Sequence, residues 1–170
     1  MPIDSVQGEA LLETVKSKFG FIPNVLKEMA KNPAILKVYL EGNEALASSS
    51  LLTEPERQVV MLTVSRVNGC PYCQAVHKAL SKKAGVAAEV IDAVVQDSLP
   101  AAPWERALVT ATRLLMEKRG WLEASDMEDL GKQGLTRPLL YELTGIIAIK
   151  TISNYINHMA HTELDPQFKG

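Results

Sequence analysis

Residues 53–77 read TEPERQVVMLTVSRVNGCPYCQAVH. Thr53 and Glu56 have capping-box spacing, in which the side chain at each end of a first helical turn bonds the backbone N–H of the other. Val59, Val60, Leu62, Thr63, Val64 and Val67 follow with helical periodicity. Asn68-Gly69 closes this helix, because glycine takes the left-handed C′ conformation without steric penalty. A second helix is predicted to start at Cys70-Pro71, since proline lacks the N–H that a first turn leaves unpaired, and to end near Gly85. The stretch therefore predicts two consecutive helices joined by a tight turn.

The rest of the chain carries the same punctuation. An amphipathic segment over Gly8 to Phe19 is followed by Gly20, and Pro23 and Pro33 each stand where a helix begins. Asn32 is a natural N-cap for a helix reaching about Ala47, and Ser48 to Ser50 form a polar break. A short helix is predicted over Val86 to Val95, and another from Pro103 to a stop at Gly120. Ser125 and Glu128 repeat the capping-box spacing, Thr136 and Pro138 open a last, longest helix to about Ala160, and Glu163 to Gly170 reads as irregular. No run alternates apolar and polar residues long enough for a strand. The expected fold is all-α, with residues 1–170 as one domain. Leu52-Thr53-x-Pro55 recurs as Leu135-Thr136-x-Pro138, a faint echo of two similar helical halves.

Composition limits the function. The chain has 170 residues, net charge −2 and a pI of about 5.9, so there is no electrostatic case for nucleic acid or an anionic membrane as partner. Met1 to Glu9 lacks the basic and apolar regions of a signal peptide. The most apolar stretch, Leu139 to Ile152, is 14 residues long and contains Glu142 and Lys150, too short and polar to cross a bilayer. A cytoplasmic location is expected. A chain of this size buries roughly two thirds of its surface without a disulfide or metal staple. Its 2 cysteines share one tetrapeptide, and in a reducing compartment such a pair reads first as catalytic or metal-binding.

Cys70-Pro71-Tyr72-Cys73 puts Cys73 in a first helical turn, near the positive end of the helix dipole, where free N–H groups stabilise a thiolate. His77, four residues after Cys73, shares its helix face. Three readings stay open on spacing alone. The sulfurs can form a redox dithiol with His77 handling the proton. They can also bind metal with His77, His158 or His161 supplying the fourth ligand that structural zinc requires. Finally, the cysteines can be buried apolar fillers. A thioredoxin-type host is excluded by the missing βαβ pattern.

Residues 64–77, with Cys70, Cys73 and His77 as C-x-x-C-x-x-x-H, resemble the core signature of the AhpD-like alkylhydroperoxidases of the carboxymuconolactone decarboxylase superfamily. The resemblance extends to Gly20 to Leu26, Asn32-Pro33, Asn154 to His158 and Glu163 to Asp165. It implies a compact helical fold, a homotrimer or homohexamer, and reduction of small hydroperoxides by thiol chemistry without a bound cofactor, with electrons from a thiol or disulfide donor. By the same resemblance Cys73 attacks the peroxide, Cys70 resolves the sulfenic acid to a disulfide, and His77 belongs to the proton relay. A protein disulfide reductase or redox sensor is the alternative. The true decarboxylases lack this C-x-x-C, so their reaction is not expected.

One departure stands out. Members of the family carry a relay glutamate twelve residues before the first cysteine, where this chain has Gln58, which hydrogen-bonds but carries no proton at neutral pH. Glu56 would face another side of the helix, and Glu54, one turn earlier on the same face, is read as lying ahead of the helix proper, so Glu44, Glu142 or His158 are the candidate substitutes from another helix. Tyr72 either tunes access to the thiols or fills space. Trp104 and Trp121 are assigned to core or interface packing. His158 and His161 suit a helix C-terminus electrostatically, as do Lys78, Lys82 and Lys83. The last helix, apolar on nearly all sides, reads as buried, partly across a subunit interface.

Overall fold

The computed structural model describes residues 5–49 and 51–169. Met1 to Asp4 of the segment read for a signal peptide, Ser50 of the polar break and Gly170 of the tail lie outside them. The helices are α1 (Ser5–Phe19), α2 (Asn24–Met29), α3 (Pro33–Ala47), α4 (Glu54–Val67), α5 (Pro71–Ala84), α6 (Ala88–Val95), α7 (Pro103–Glu117), α8 (Ala124–Lys132) and α9 (Arg137–Ala160), followed by a 3-10 turn at Pro166–Phe168. No strand occurs among the described residues, and the all-α expectation stands.

α4 is the axis of the molecule. Every residue from Arg57 to Ser65 is buried, the signature of a helix surrounded by others, and α5, α6, α7 and α9 pack around it. Its capping box forms as expected, with the Thr53 backbone N–H donating to Glu56 Oε2 at 2.6 Å. One apolar cluster joins Leu52 and Val60 to Leu108, Leu135, Leu143 and Ile146. A second lies under α1, α2 and α3, where Val15, Met29 and Leu36 meet Cys70, Tyr72 and Cys73. A third joins Val59 and Leu62 to Ile91, Val94 and Val109. Burying a leucine such as Leu143 contributes about 1.5–3 kcal/mol.

α3 and α9 interlock. A Cβ on Gly42 would lie 2.5 Å from Ile149 Cδ1, and one on Gly145 would lie 3.1 Å from Leu46 Cδ2. Each glycine thus receives a branched side chain from the other helix. This close approach fixes where α9 lies.

Several expectations are corrected. The capping box of α8 uses Glu123 and Asp126 rather than Ser125 and Glu128, because the helix starts two residues earlier than the serine suggests. Pro23 is the N-cap of α2 rather than its first residue, since the Asn24 N–H is taken by Asp165 Oδ1 at 3.0 Å. α6 starts at Ala88 rather than Val86, whose N–H instead closes α5 on Ser81 O at 3.0 Å. The tail is not wholly irregular, since its 3-10 turn follows the buried Asp165. Trp104 packs on the first cluster and donates to Glu56, but Trp121 is 84% exposed and outside the core. The sequence echo reflects a shared helix start. Leu52 and Leu135 are both buried in the first cluster, and Thr53 and Thr136 are the N-caps of α4 and α9.

α9 departs furthest from its reading. Its first half buries Leu139, Leu140, Leu143 and Ile146, but its second half buries Lys150, Ser153, Asn154 and Asn157. Tyr141, Tyr155 and Met159 face outward. The helix is therefore buried along one face only, not on nearly all sides, and that face turns polar where it meets the thiols.

Candidate active site

The turn between α4 and α5 builds the site. Gly69, at φ +64°, takes the left-handed conformation that a side chain would oppose. The Gly69 N–H then reaches Arg66 O and the Cys70 N–H reaches Ser65 O, both at 3.0 Å, closing α4 in a Schellman-type stop. Cys70 is at once the residue that completes this stop and the N-cap of α5. Cys73 consequently falls at the third position of α5, inside the first turn.

Both sulfurs are buried, Cys70 at 0% and Cys73 at 2% exposure, and both are free thiols. The surroundings of Cys73 come from α9. Asn157 Nδ2 donates to Cys73 Sγ at 3.2 Å and lies 4.0 Å from Cys70 Sγ. Ser153 Oγ is 3.9 Å from Cys73 Sγ and accepts from Lys150 Nζ at 2.9 Å. Asn68, the C-cap of α4, donates to Asn154 Oδ1 at 2.8 Å, so the α4–α5 turn also orients the helix opposite.

These contacts divide the two thiols. A hydrogen bond from Cys70 is the main cause that lowers Cys73 to about 5, helped by the Lys150 charge and the Asn154 and Asn157 amides against the cost of burial. Donating that same bond is what chiefly pushes the Cys70 thiol up. One proton is shared so that Cys73 is the thiolate and Cys70 its donor.

His77 is buried, and that burial, followed by the Lys150 charge, holds its imidazole well below its ordinary range. Its Nδ1 lies 2.8 Å from Gln58 Oε1. The other end of Gln58 is fixed, since Nε2 donates to Glu54 Oε1 at 2.8 Å. The amide oxygen must therefore face the ring, Nδ1 must carry the hydrogen, and Nε2 is left as the basic nitrogen. Glu54 stands inside the helix, as the first residue of α4, and not ahead of it as the sequence suggests. The carboxylate missing at position 58 is thus found one turn earlier, connected to His77 through the Gln58 amide.

The other carboxylates and histidines considered lie elsewhere. Glu56 caps α4 and receives the Trp104 N–H. Glu142 is buried but accepts from Ser49, and Glu44 is exposed. His158 is exposed with its ring 6.1 Å from that of Tyr155, and His161 is also exposed. Neither joins the thiols, and no group of three or more metal-ligating residues forms among the described residues. Lys82 and Lys83 are exposed in the last turn of α5. Tyr72 is buried and holds the site together, with its hydroxyl donating to Asp165 Oδ2 at 2.5 Å and accepting from the Val25 N–H at 3.4 Å. Burial first and then the Asp165 contact push its phenol up.

The sequence reading missed Lys150, Ser153 and the roles of Asn154 and Asn157. A signal existed, because positions 150, 153, 154 and 157 follow the i, i+3, i+4, i+7 spacing of one helix face inside an otherwise apolar helix.

The pattern of the carboxymuconolactone decarboxylase family matches residues 33–117, a span that includes Cys70, Cys73 and His77. The chain belongs to that family. No curated protein matches it. Among solved structures, this family member is similar to the alkylhydroperoxidase AhpD core of an uncharacterized peroxidase-related protein from Ralstonia eutropha JMP134. The two share 24% identity at a TM-score of 0.83 over 98% of this chain and 88% of that one. An uncharacterized peroxidase-related protein from Silicibacter sp. TM1040 shares 20% identity at a TM-score of 0.80, over 95% and 86%. The debrominase Bmp8 in complex with 2,3,4-tribromopyrrole shares 19% identity at 0.75, over 98% and 89%. At these identities the likeness establishes the AhpD-like helical fold.

Proposed function

We propose that this family member is a thiol-dependent oxidoreductase that reduces small hydroperoxides through a Cys70–Cys73 dithiol–disulfide cycle. The observation that carries the reading is the pair of buried free thiols at the start of α5, with Asn157 Nδ2 donating to Cys73 Sγ at 3.2 Å, and the lowered Cys73 thiol agrees with it. The Cys73 thiolate attacks the terminal peroxide oxygen, the O–O bond breaks, and the alkoxide takes a proton from solvent, giving Cys73 sulfenic acid and an alcohol. Cys70 then attacks Cys73 Sγ, and its proton leaves with the hydroxide as water. An external thiol donor returns two electrons and two protons. His77, neutral and with Nδ1–H committed to Gln58, offers Nε2 to move the proton. No cofactor is required. A homotrimer or homohexamer is part of the same reading, and light scattering at micromolar concentration checks it.

Burial favours a small substrate over a protein disulfide, which could not reach sulfurs at 0% and 2% exposure. The test follows hydroperoxide loss with an excess dithiol for the wild type, Cys70→Ser and Cys73→Ser. Turnover in the wild type and in neither variant is expected. A wild type that forms the reversible disulfide but consumes no peroxide would be a redox sensor instead. Reductive debromination of a small ring is the second reading, favoured by the fold shared with Bmp8. Bromide release from a bromopyrrole in the same assay separates the two.

A further inference from the structure

We propose that Lys150 is the counter-ion of the Cys73 thiolate and biases the Cys70–Cys73 pair towards the reduced dithiol, so that its disulfide is a strong oxidant reducible by an ordinary monothiol. This rests on the dithiol cycle above and names its class of electron donor.

Lys150 is 2% exposed, and a buried ammonium is costly unless it is paired and hydrogen-bonded. Among the described residues it makes no ion pair with a carboxylate. Its Nζ donates to Ser153 Oγ at 2.9 Å, and that oxygen lies 3.9 Å from Cys73 Sγ. Around the sulfurs the titratable groups are Cys70 and Tyr72 beside Cys73, His77 one turn further along α5, Asp165 beyond Tyr72, and Lys150 from α9. The thiolate of Cys73 is the negative charge that Lys150 faces.

Oxidation removes that charge. With glutathione disulfide as oxidant, Cys73 Sγ attacks one glutathione sulfur and expels the first glutathione thiolate. Cys70 then gives its proton to that thiolate and attacks Cys73 Sγ, expelling the second. The two protein sulfurs lose two electrons and become neutral, and the glutathione disulfide gains them. Asn157 loses only an acceptor for a neutral amide, whereas Lys150 loses its counter-charge while still buried. The disulfide state is disfavoured for that reason, on the same principle by which stabilising a reduced form makes a disulfide oxidising. A donor of unusually low potential is then unnecessary, and a glutathione-class monothiol suffices.

The experiment equilibrates the wild type, Lys150→Met, Lys150→Arg and Ser153→Ala with glutathione redox buffers. Disulfide is counted by alkylation, and the Cys73 thiolate is followed by its ultraviolet absorbance against pH. Lys150→Met should shift the equilibrium at least about tenfold towards disulfide, roughly 30 mV more negative, and move the thiolate midpoint upward. Lys150→Arg should keep both near the wild type. Ser153→Ala, which unties the ammonium and removes the hydroxyl between it and Cys73 Sγ, should move both in the Lys150→Met direction by less, and it covers the case in which Lys150→Met fails to fold. Unchanged equilibrium and thiolate midpoint in Lys150→Met, or in Ser153→Ala if only that variant folds, overturn the proposal and leave the cycle intact. A wild type that forms no disulfide at any buffer ratio overturns the cycle and this proposal together.

Discussion

The two sides of the site are held by different forces. The α4–α5 corner is local, and two backbone hydrogen bonds within the stretch from Ser65 to Cys70, with one left-handed glycine, position the sulfurs. The opposing face of α9 comes from 84 residues further along the chain, measured from Cys73 to Asn157. It is aligned by the Gly42–Ile149 interlock and by Asn68 on Asn154. The corner supplies the nucleophile and, through Cys70, the main cause of its ionisation, and α9 adds to that ionisation through Lys150, Asn154 and Asn157. Damage to the corner should abolish chemistry, and damage to α9 should retune it.

The sharpest test of this division compares Cys73→Ser with Asn157→Ala. The first should reduce hydroperoxide turnover to the uncatalysed background, whereas the second should leave measurable turnover. If Asn157→Ala is as inactive as Cys73→Ser while folded, the division fails.

The proton path gives the next largest effect. The swap Glu54→Gln with Gln58→Glu keeps a chain of hydrogen bonds but moves the carboxylate one turn, into contact with His77. A positioned acid or base is worth about 10²–10⁴-fold, so steady-state turnover should rise by about 10²-fold or more. Gln58→Glu alone places two carboxylates side by side, raises the proton affinity of one of them, and should give the smaller gain.

Asn157→Ala also tests the tuning directly. A hydrogen bond to a charged group contributes about 1.5–3 kcal/mol, equivalent to about one to two pH units. The midpoint of Cys73 alkylation against pH should rise by that amount, measured from about 5.

Stability against pH carries a smaller effect. His77 is held well below 6.5 in the fold, so below pH 6.5 the unfolded chain binds a proton that the native chain refuses. Stability then falls as pH falls, by up to about 1.4 kcal/mol per pH unit. Cys73 acts in the same direction, since the stability it gives above its ordinary value of 9.0 is lost as pH drops towards 5. Denaturant titrations from pH 7 to pH 5 should show a shallower loss for His77→Gln than for the wild type. Last, Gly42→Ala puts a Cβ against Ile149 Cδ1. Because that methyl is the mobile end of a side chain, the cost should be about 1–3 kcal/mol, visible as a lower Tm with little change in the Cys73 midpoint.

Much of the corner is legible in the sequence because its determinants are adjacent. Thr53 with Glu56, Asn68-Gly69 and Cys70-Pro71 each act within a turn or two, and all three form where expected. Lys150 is harder to read. In the sequence it is a single charge in an apolar run, and its significance depends on α9 lying across α5, which no local rule supplies. The Gln58 departure is legible as a loss, but the compensation by Glu54 is not, because it depends on α4 starting at that residue. The capping box of α8 shows the limit of spacing arguments, where two overlapping patterns two residues apart compete and the chain uses Glu123 with Asp126.

The double role of Cys70 has a practical consequence. It is the N-cap of α5 and makes its closing bond to Ser65 through the backbone, so nothing in the turn geometry requires sulfur. Serine is a preferred N-cap and typically adds about 1 kcal/mol over a poor one, which for a chain of this size is about 2–4 °C in melting temperature. Cys70→Ser should therefore abolish the disulfide cycle while melting at or above the wild-type temperature. The protein would then provide its own separation-of-function reagent, a folded form that cannot close the disulfide and in which the Cys73 sulfenic acid can be trapped by dimedone and counted by mass spectrometry.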